Sequence, residues 1–426
     1  MSTALAGATR HVMTDRQKLM WPILVVGVFF EGFDDTLINV ALPYIGADFQ
    51  LTTQKQGYLL SVIAVGTLVA FFASRLADTF GRRPVFLWCV GLYSACSAAT
   101  AFAFTLPVFA SFQFAARIFL IGCWSTGYVI VCEEFDADHR GWAVGRFQVT
   151  AVFGALLIGV LLPVVMKLGI GWRPLYLVGA LPLIPVFLMR RRLPETEAFR
   201  RLRADAALGR RAPRQDFWAV WRAPFTRNLV IMAVVWFFLY FGVKGSLNFF
   251  STRAVRELGW SPTLISVAVL TSTLAGMVII SANGRLLDSF GRKRASILVI
   301  GVGAVSGVLT FLTGNTVLVL VFNMISVGFV NSFLIVGSTW TNELFPTHVR
   351  GNAMAWTNNI VGRLGQVLVP TLIGTLSATM ALGHAVAIAM ALPFISLVLI
   401  AVALPSGGAA LEQPSRDAEL VGALTR

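Results

Sequence analysis

Long apolar runs alternate with short polar breaks along the whole chain. Trp21–Pro43, Tyr58–Leu76, Ile297–Leu312 and Ala385–Leu404 are the plainest of these runs. Runs of about 20 residues match the hydrocarbon thickness of a bilayer at the helical rise per residue. The pattern predicts twelve membrane spans, near 20–44, 57–77, 84–104, 107–131, 142–166 and 174–191, then 227–250, 261–284, 294–313, 316–340, 352–379 and 385–404. Helices are the expected solution, because lipid offers no hydrogen-bond partner to a free backbone group. The short alternating segments of a membrane β-barrel do not occur in the pattern.

Composition agrees with the pattern. Hydrophobic residues make up 57% of the 426, charged residues only 13%, and the mean hydropathy is +0.76. Soluble domains carry about a quarter charged residues, so most of this surface faces something other than water. A net charge of +14 would suggest nucleic acid in a soluble chain, but here the charges sit in the short breaks. They are read as topology signals, the expected environment is a lipid bilayer, and no nucleic-acid partner is expected.

The distribution of Lys and Arg fixes an expected orientation. Alternate breaks hold Arg75, Arg82 and Arg83; Arg140 and Arg146; Arg285, Arg292, Lys293 and Arg294; and Arg350. The stretch 190–227 carries eleven arginines, among them Arg190, Arg191, Arg192, Arg200, Arg201, Arg210 and Arg211. The other breaks are nearly neutral, apart from Arg253, Arg256 and Glu257 after span 7. The positive-inside rule places the basic breaks and both termini in the cytoplasm of a multi-pass inner-membrane protein. The expected organisation is a tail over 1–19, a six-helix bundle over 20–191, a basic linker over 192–226, a second bundle over 227–405 and a tail over 406–426. Thr196–Ala207 in the linker reads as an interfacial amphipathic helix, and the final twenty residues as disordered. The first apolar run is too long and too acidic for a cleaved signal peptide.

Cys89, Cys96, Cys123 and Cys132 lie in apolar runs with no metal spacing and no disulfide framework. His11, His139, His348 and His384 fall in tails or breaks. No metal or cofactor is expected. The sequence holds no phosphate-binding glycine loop, no zinc-protease motif and no nucleophile elbow, so an enzyme is not expected either.

An internal repeat runs through the chain. Ser74-Arg-Leu-Ala-Asp78-Thr-Phe-Gly81-Arg82-Arg83 returns as Gly284-Arg-Leu-Leu-Asp288-Ser-Phe-Gly291-Arg292-Lys293, 210 residues later. At the same offset Glu133 and Arg140-Gly141 return as Glu343 and Arg350-Gly351, and the amide of Gln148 as Asn358. Parallel repeats of six helices imply a pseudo-two-fold axis along the membrane normal, with a solute site between the halves near the midplane.

Charges inside the spans are the candidate chemistry, because an ionisable group in lipid costs a few kcal/mol and is retained for a reason. Span 1 carries Glu31, Asp34 and Asp35 on one helical face. Crowded carboxyls in a low dielectric suit proton loading and release. The repeat offset carries Asp34 onto Lys244 in span 7 and Gly32 onto Gly242, which makes spans 1 and 7 symmetry mates. Arg117 in span 4 reads as a partner for an acidic residue of span 1 or for an anionic solute. Polar and aromatic residues on spans presumed to line the path complete the candidates: Trp124 and Tyr128, Asn248, Asn331 and Trp340, and Asn358.

The repeated loop also resembles the signature of the major facilitator superfamily, G-x-L-A-D-R-x-G-R-[RK], with Ser74 in place of its first glycine. Further stretches are similar to its metabolite:proton symporter branch, which includes sugar and aromatic-acid carriers. They are Glu31-Gly-Phe-Asp34, Gly171-Trp-Arg173, Leu193-Pro-Glu195-Thr, and Gly362-Arg363-Leu-Gly365 with Pro370. The resemblance covers about 20–405. It implies an all-α fold of twelve spans in two pseudo-symmetric bundles, alternating access, a monomer as the working unit, and spans 1 and 7 along the central cavity, where Asp34 and Lys244 are then expected to face each other across the path. It also implies a conformational latch at Asp78, Gly81, Arg82, Arg83, Glu133 and Arg140, with Asp288, Gly291, Arg292, Lys293, Glu343 and Arg350 as the second copy. Arg117 precedes Gly122 by five residues, where the family spacing is four. The span-5 motif of drug antiporters is missing, since Gly154 and Gly159 are followed by leucines and Pro163.

The expected function is secondary transport, by proton-coupled uptake of a small organic solute. Arg117 and Lys244 favour a carboxylate. A proton-driven exporter on the same fold is the near alternative, and a membrane sensor the more distant one.

Overall fold

The computed structural model describes residues 13–189, 193–208, 217–222 and 224–405. Arg190, Arg191, Arg192, Arg210, Arg211 and the segment after 405 lie outside the described residues. Regular structure among the described residues is entirely helical, as expected.

In the first half, α1 (Asp15–Asp48), α2 (Thr53–Phe80), α3 (Arg82–Ala101), α4 (Leu106–Glu134) and α5 (Ala137–Lys167) are continuous. Span 6 is broken into α6 (Arg173–Gly179) and α7 (Leu183–Met189). Pro182 has no N–H to donate, which ends the ladder there. The short α8 (Glu197–Ala207) follows, capped by the Thr196 hydroxyl on the Phe199 amide. In the second half, span 7 divides into α9 (Thr226–Asn248) and α10 (Phe250–Arg256). Then come α11 (Pro262–Ser289), α12 (Arg292–Leu312) and α13 (Thr316–Leu344). Span 11 is α14 (Thr347–Met354), a run of wide π-type turns over Ala355–Gly362, and α15 (Arg363–Leu376). Span 12 is α16 (Leu382–Ala391) and α17 (Pro393–Ala403), parted at Pro393.

Among the described residues nine helices are long and apolar enough to cross a membrane. The other three expected spans fall short of that simple pattern for local reasons. Three carboxylates interrupt α1, and spans 6 and 11 are broken.

The two halves pack alike. α1 lies along α5, while α2 and α3 flank α4; in the second half α9 lies along α15 and the π turns, while α11 and α12 flank α13. Close backbone approach makes the α1–α5 crossing possible. A Cβ on Gly32 would strike the Ala151 carbonyl, and one on Gly154 the Phe29 carbonyl. Gly365 meets the Phe237 carbonyl in the corresponding crossing of the second half. The loops Gly81 and Gly291 both sit in the left-handed region, at φ 107° and 85°, as the tight repeated turn requires. Large apolar side chains such as Val278 and Val402 point outward, 71% and 80% exposed, and form the lipid-facing belt.

Two seams join the halves, α2 with α15 and α5 with α11. At the end opposite the basic loops the first seam is closed to backbone contact: a Cβ on Gly57 would stand 3.0 Å from the Gly374 Cα. There Ser61 Oγ bonds Thr371 Oγ1 at 2.7 Å and Arg256 reaches across to Thr53 Oγ1 and the Leu51 carbonyl, both at 2.9 Å. At the basic end, by contrast, Gly141, Gly145, Gly284 and Gly351 all look into open space. Among the described residues the first seam is closed at the end opposite the basic loops, while at the basic end Phe217 of the linker packs on both Phe71 of α2 and Trp356 of the π turns, with ring centroids 6.2 and 5.0 Å away. Both chain ends of the described core meet at the basic end, where Arg16 pairs with Glu134 and Lys293 donates to the Leu404 carbonyl.

Candidate functional site

Three charges meet midway along the seam. Arg117 on α4 pairs with Asp35 on α1, and Lys244 on α9 stands 3.5 Å from the other Asp35 oxygen. The Arg117 and Lys244 side chains are 9% and 14% exposed, Asp35 30%, so this is a mostly dry cluster spanning both halves. Gly66 on α2 makes room for the arginine stem, since a Cβ there would lie 3.1 Å from Arg117 Cβ. Beside the cluster lies a cavity of about 20 Å³, enough for one water. Asn39, Asn248 and Gln366 line it together with Arg117, Lys244 and the apolar Ile63.

The expected facing of Asp34 and Lys244 is corrected here. Lys244 meets Asp35, and Asp34 turns into the first bundle. Ser97 Oγ lies 3.2 Å from Asp34 Oδ1, while Asp34 Oδ2 is buried without a hydrogen-bond partner among the described residues. Neighbouring residues on a helix point about 100° apart, so one face cannot hold both carboxylates toward the seam. The side chain of Glu31, also buried, makes no hydrogen bond or ion pair among the described residues. The three carboxyls of α1 therefore have three different environments.

Of the other candidates, Asn248 lines the cavity as expected. Asn358, on the π turns, accepts from the Tyr240 hydroxyl at 2.9 Å, one turn from Lys244. Asn331 donates back to the Val327 carbonyl of its own helix. Trp340 does not face the path. It is 2% exposed and donates to Ser296 Oγ at 2.9 Å, between α13 and α12. Trp124 packs on Phe147 with ring centroids 5.4 Å apart, Tyr128 is largely exposed, and neither lines the cavity. Asn39, four residues after Asp35, was not among the candidates, and Gln366 on α15 also lines the cavity.

The basic-end network forms in both halves. Arg82 binds Asp78 and Glu133, each at 3.1 Å, and Arg292 binds Asp288 at 2.5 Å and Glu343 at 2.6 Å. Arg350 caps the Phe345 carbonyl. Arg140 departs from the expectation: it is exposed on the first turn of α5, and its side chain makes no hydrogen bond or ion pair among the described residues. The first-half turn carries an addition that its repeat did not predict. One Glu195 oxygen accepts from the amides of Arg82 and Arg83 at 3.0 and 3.1 Å, capping α3, whose N-cap Gly81 has no side chain. Thr196 Oγ1 donates to Glu133 at 2.6 Å, and Arg16 forks onto Glu134, whose hydrogen bond raises the Arg16 pKa from its ordinary value. In the second half one Glu343 oxygen has no hydrogen-bond partner among the described residues.

Known proteins resemble this chain over most of its length. The profile of the Major Facilitator Superfamily matches residues 24–370 and, in a second match, 245–421. The chain is 27% identical over 385 residues to the niacin transporter NiaP of Acinetobacter baylyi, covering 83% of this chain and 86% of that one. It is 25% identical over 378 residues to the cis,cis-muconate transport protein of the same organism, covering 86% and 89%. Among solved structures, a D-xylose-proton symporter superposes with a TM-score of 0.72 at 17% identity, over 90% of this chain and 97% of that one. A bacterial homologue of the lysosomal transporter Spinster, in an inward-facing occupied conformation, gives 0.67 at 15% identity, over 94% and 97%.

Proposed function

We propose, for a chain that belongs to the major facilitator superfamily and is related to metabolite transport proteins, that it imports a small organic carboxylate together with protons. The carrying observation is the charge count of the midpoint cluster. Arg117 and Lys244 bring two cations against the single carboxylate of Asp35, which leaves one positive charge to be balanced beside a polar cavity. One negative charge from a solute would complete that balance. Niacin and muconate, named for the two relatives, both carry carboxyl groups. A buried carboxyl without a counter-ion is costly while charged, and a proton removes that cost. Asp34 and Glu31 answer that description, so they are read as the proton carriers and Asp35 as the fixed counter-ion. Asn248 and Gln366 would bind the remainder of the solute.

The positive-inside rule supports a reading in which the basic loops and both termini face the cytoplasm. The outer end is then the closed one, and alternating access proceeds by opening the Ser61–Thr371 side while the basic end closes.

The test is uptake by purified protein in liposomes under an inward proton gradient. Aromatic and aliphatic monocarboxylates are expected to accumulate and to be lost with an uncoupler. Uptake of sugars without acids would overturn the substrate class, and proton-driven loss of solute would reverse the direction. Asp34→Asn is expected to abolish accumulation while counterflow persists. Accumulation with an unchanged pH profile in that variant would end the assignment of Asp34.

A further inference from the structure

The hydroxyl of Ser97 has two acceptors and one proton. Its Oγ lies 3.2 Å from Asp34 Oδ1 and 3.1 Å from the carbonyl oxygen of Tyr176, on α6. A serine donates a single hydrogen bond at a time, though it can accept others. The side chain is 1% exposed, so water cannot readily take the place of either partner. The Tyr176 carbonyl sits where span 6 breaks. The Ala180 amide, which a continuing α-helix would direct to Tyr176, turns instead to Leu177 at 3.1 Å. Gly179 lets α6 come this close, because a Cβ there would run into Asp34 Oδ1 and Ser97 Oγ.

From this geometry we infer that Ser97 is a positioning residue for proton coupling, a hydroxyl that switches acceptor with the protonation of Asp34 and so ties α1 to the broken span 6. The inference rests on the reading of Asp34 as a proton carrier. With Asp34 ionised, Ser97 donates to Oδ1 and releases the Tyr176 carbonyl. With Asp34 protonated, the acid O–H donates to Ser97 Oγ, and the serine proton turns to Tyr176. No bond to carbon forms or breaks; one proton is gained from solvent and two hydrogen bonds are redirected. Span 6 is thus held to α3 in one protonation state and released in the other.

The ionisable groups around Asp34 are Glu31 and Asp35 on α1, Arg117 on α4, Tyr93 on α3 and Tyr176 on α6. The stretch of α5 along α1, residues 147–166, has no titratable side chain, and neither has α7. Arg117 is engaged by Asp35, and the Tyr93 hydroxyl donates to the Gly27 carbonyl at 3.0 Å. Ser97 is the hydrogen-bond donor to Asp34 among the described residues.

The experiment measures the pH profiles of gradient-driven uptake and of counterflow in liposomes for the unaltered protein, Ser97→Ala, Ser97→Thr, Asp34→Asn and the Asp34→Asn/Ser97→Ala pair. Ser97→Ala is expected to move the pH midpoint of uptake by about one unit, in line with losing one hydrogen bond to a charged group. Ser97→Thr is expected to restore it. In the Asp34→Asn background, Ser97→Ala is expected to leave the remaining counterflow profile unmoved. A Ser97→Ala protein that only loses maximal rate, with an unmoved midpoint, overturns the inference. So does an equal shift in both backgrounds. If Ser97→Ala does not fold, Ser97→Cys, a weaker donor of similar size, takes its place under the same criteria. Failure of the underlying reading shows separately, as Asp34→Asn protein that still accumulates solute.

Discussion

At the scale of single residues, the midpoint cluster ranks its members. Arg117 holds Asp35 in direct contact, whereas Lys244 stands off at 3.5 Å. Removing one partner of a buried pair strands the other, at a cost of about 3 kcal/mol or more, which partial exposure of Asp35 reduces. Arg117→Ala is therefore expected to lower the thermal midpoint in detergent more than Lys244→Ala does. The reverse order would show that Lys244 is the chief counter-ion. The sequence made these charges visible because they stand out against lipid-facing apolar residues. It did not reveal which carboxylate faces which cation. The repeat aligns backbone positions, and the long lysine stem reaches past the position aligned with it to Asp35. Trp340 was misplaced for a related reason. A membrane helix is apolar on every face, so the periodicity that locates the inner face of a soluble helix is lost.

Among the elements, the turn between α2 and α3 is the most instructive. Its glycine, aspartate and arginines could be read from the sequence, and φ of 107° at Gly81 bears out the reason for the glycine. The cap on α3 could not, because Glu195 arrives from 113 residues away. Leu193-Pro-Glu195-Thr was legible only as a family stretch. Glu195→Ala is expected to destabilise the protein by about 1 kcal/mol, as losses of helix caps do. Hydrogen exchange should accelerate at the Arg82 and Arg83 amides, and unchanged exchange there would refute the cap. The breaks in spans 6 and 12 follow Pro182 and Pro393, readable residues whose effect the apolar runs concealed. The π turns of span 11 had no such marker. They set Asn358 against Tyr240, and wide turns of this kind recur at functional sites.

For the whole molecule, the repeat was the decisive signal, since a shared offset specifies two bundles with like packing, and both are found. What the sequence does not encode locally is the state of the seam, a balance between two long-range closures. Ser61 and Thr371 close one of them at 2.7 Å. A Ser61→Cys/Thr371→Cys pair, in protein lacking Cys89, Cys96, Cys123 and Cys132, is expected to crosslink. Transport should then fall at least about tenfold and return with a reducing agent. Undiminished transport by the crosslinked protein would mean that this seam need not open.

The extra ties on one of the two turns make the halves mechanically unequal. Glu195, Thr196 and Arg16 knot the beginning of α3, the end of α4 and the linker into a single block, while among the described residues the matching corner of the second half holds Arg292 on Asp288 and Glu343 and leaves one Glu343 oxygen without a hydrogen bond. A rocking motion between such partners bends the slacker one. In such a motion the first bundle would be the stiffer body despite its broken span 6, and bending would collect in the second, in the discontinuous spans 7, 11 and 12.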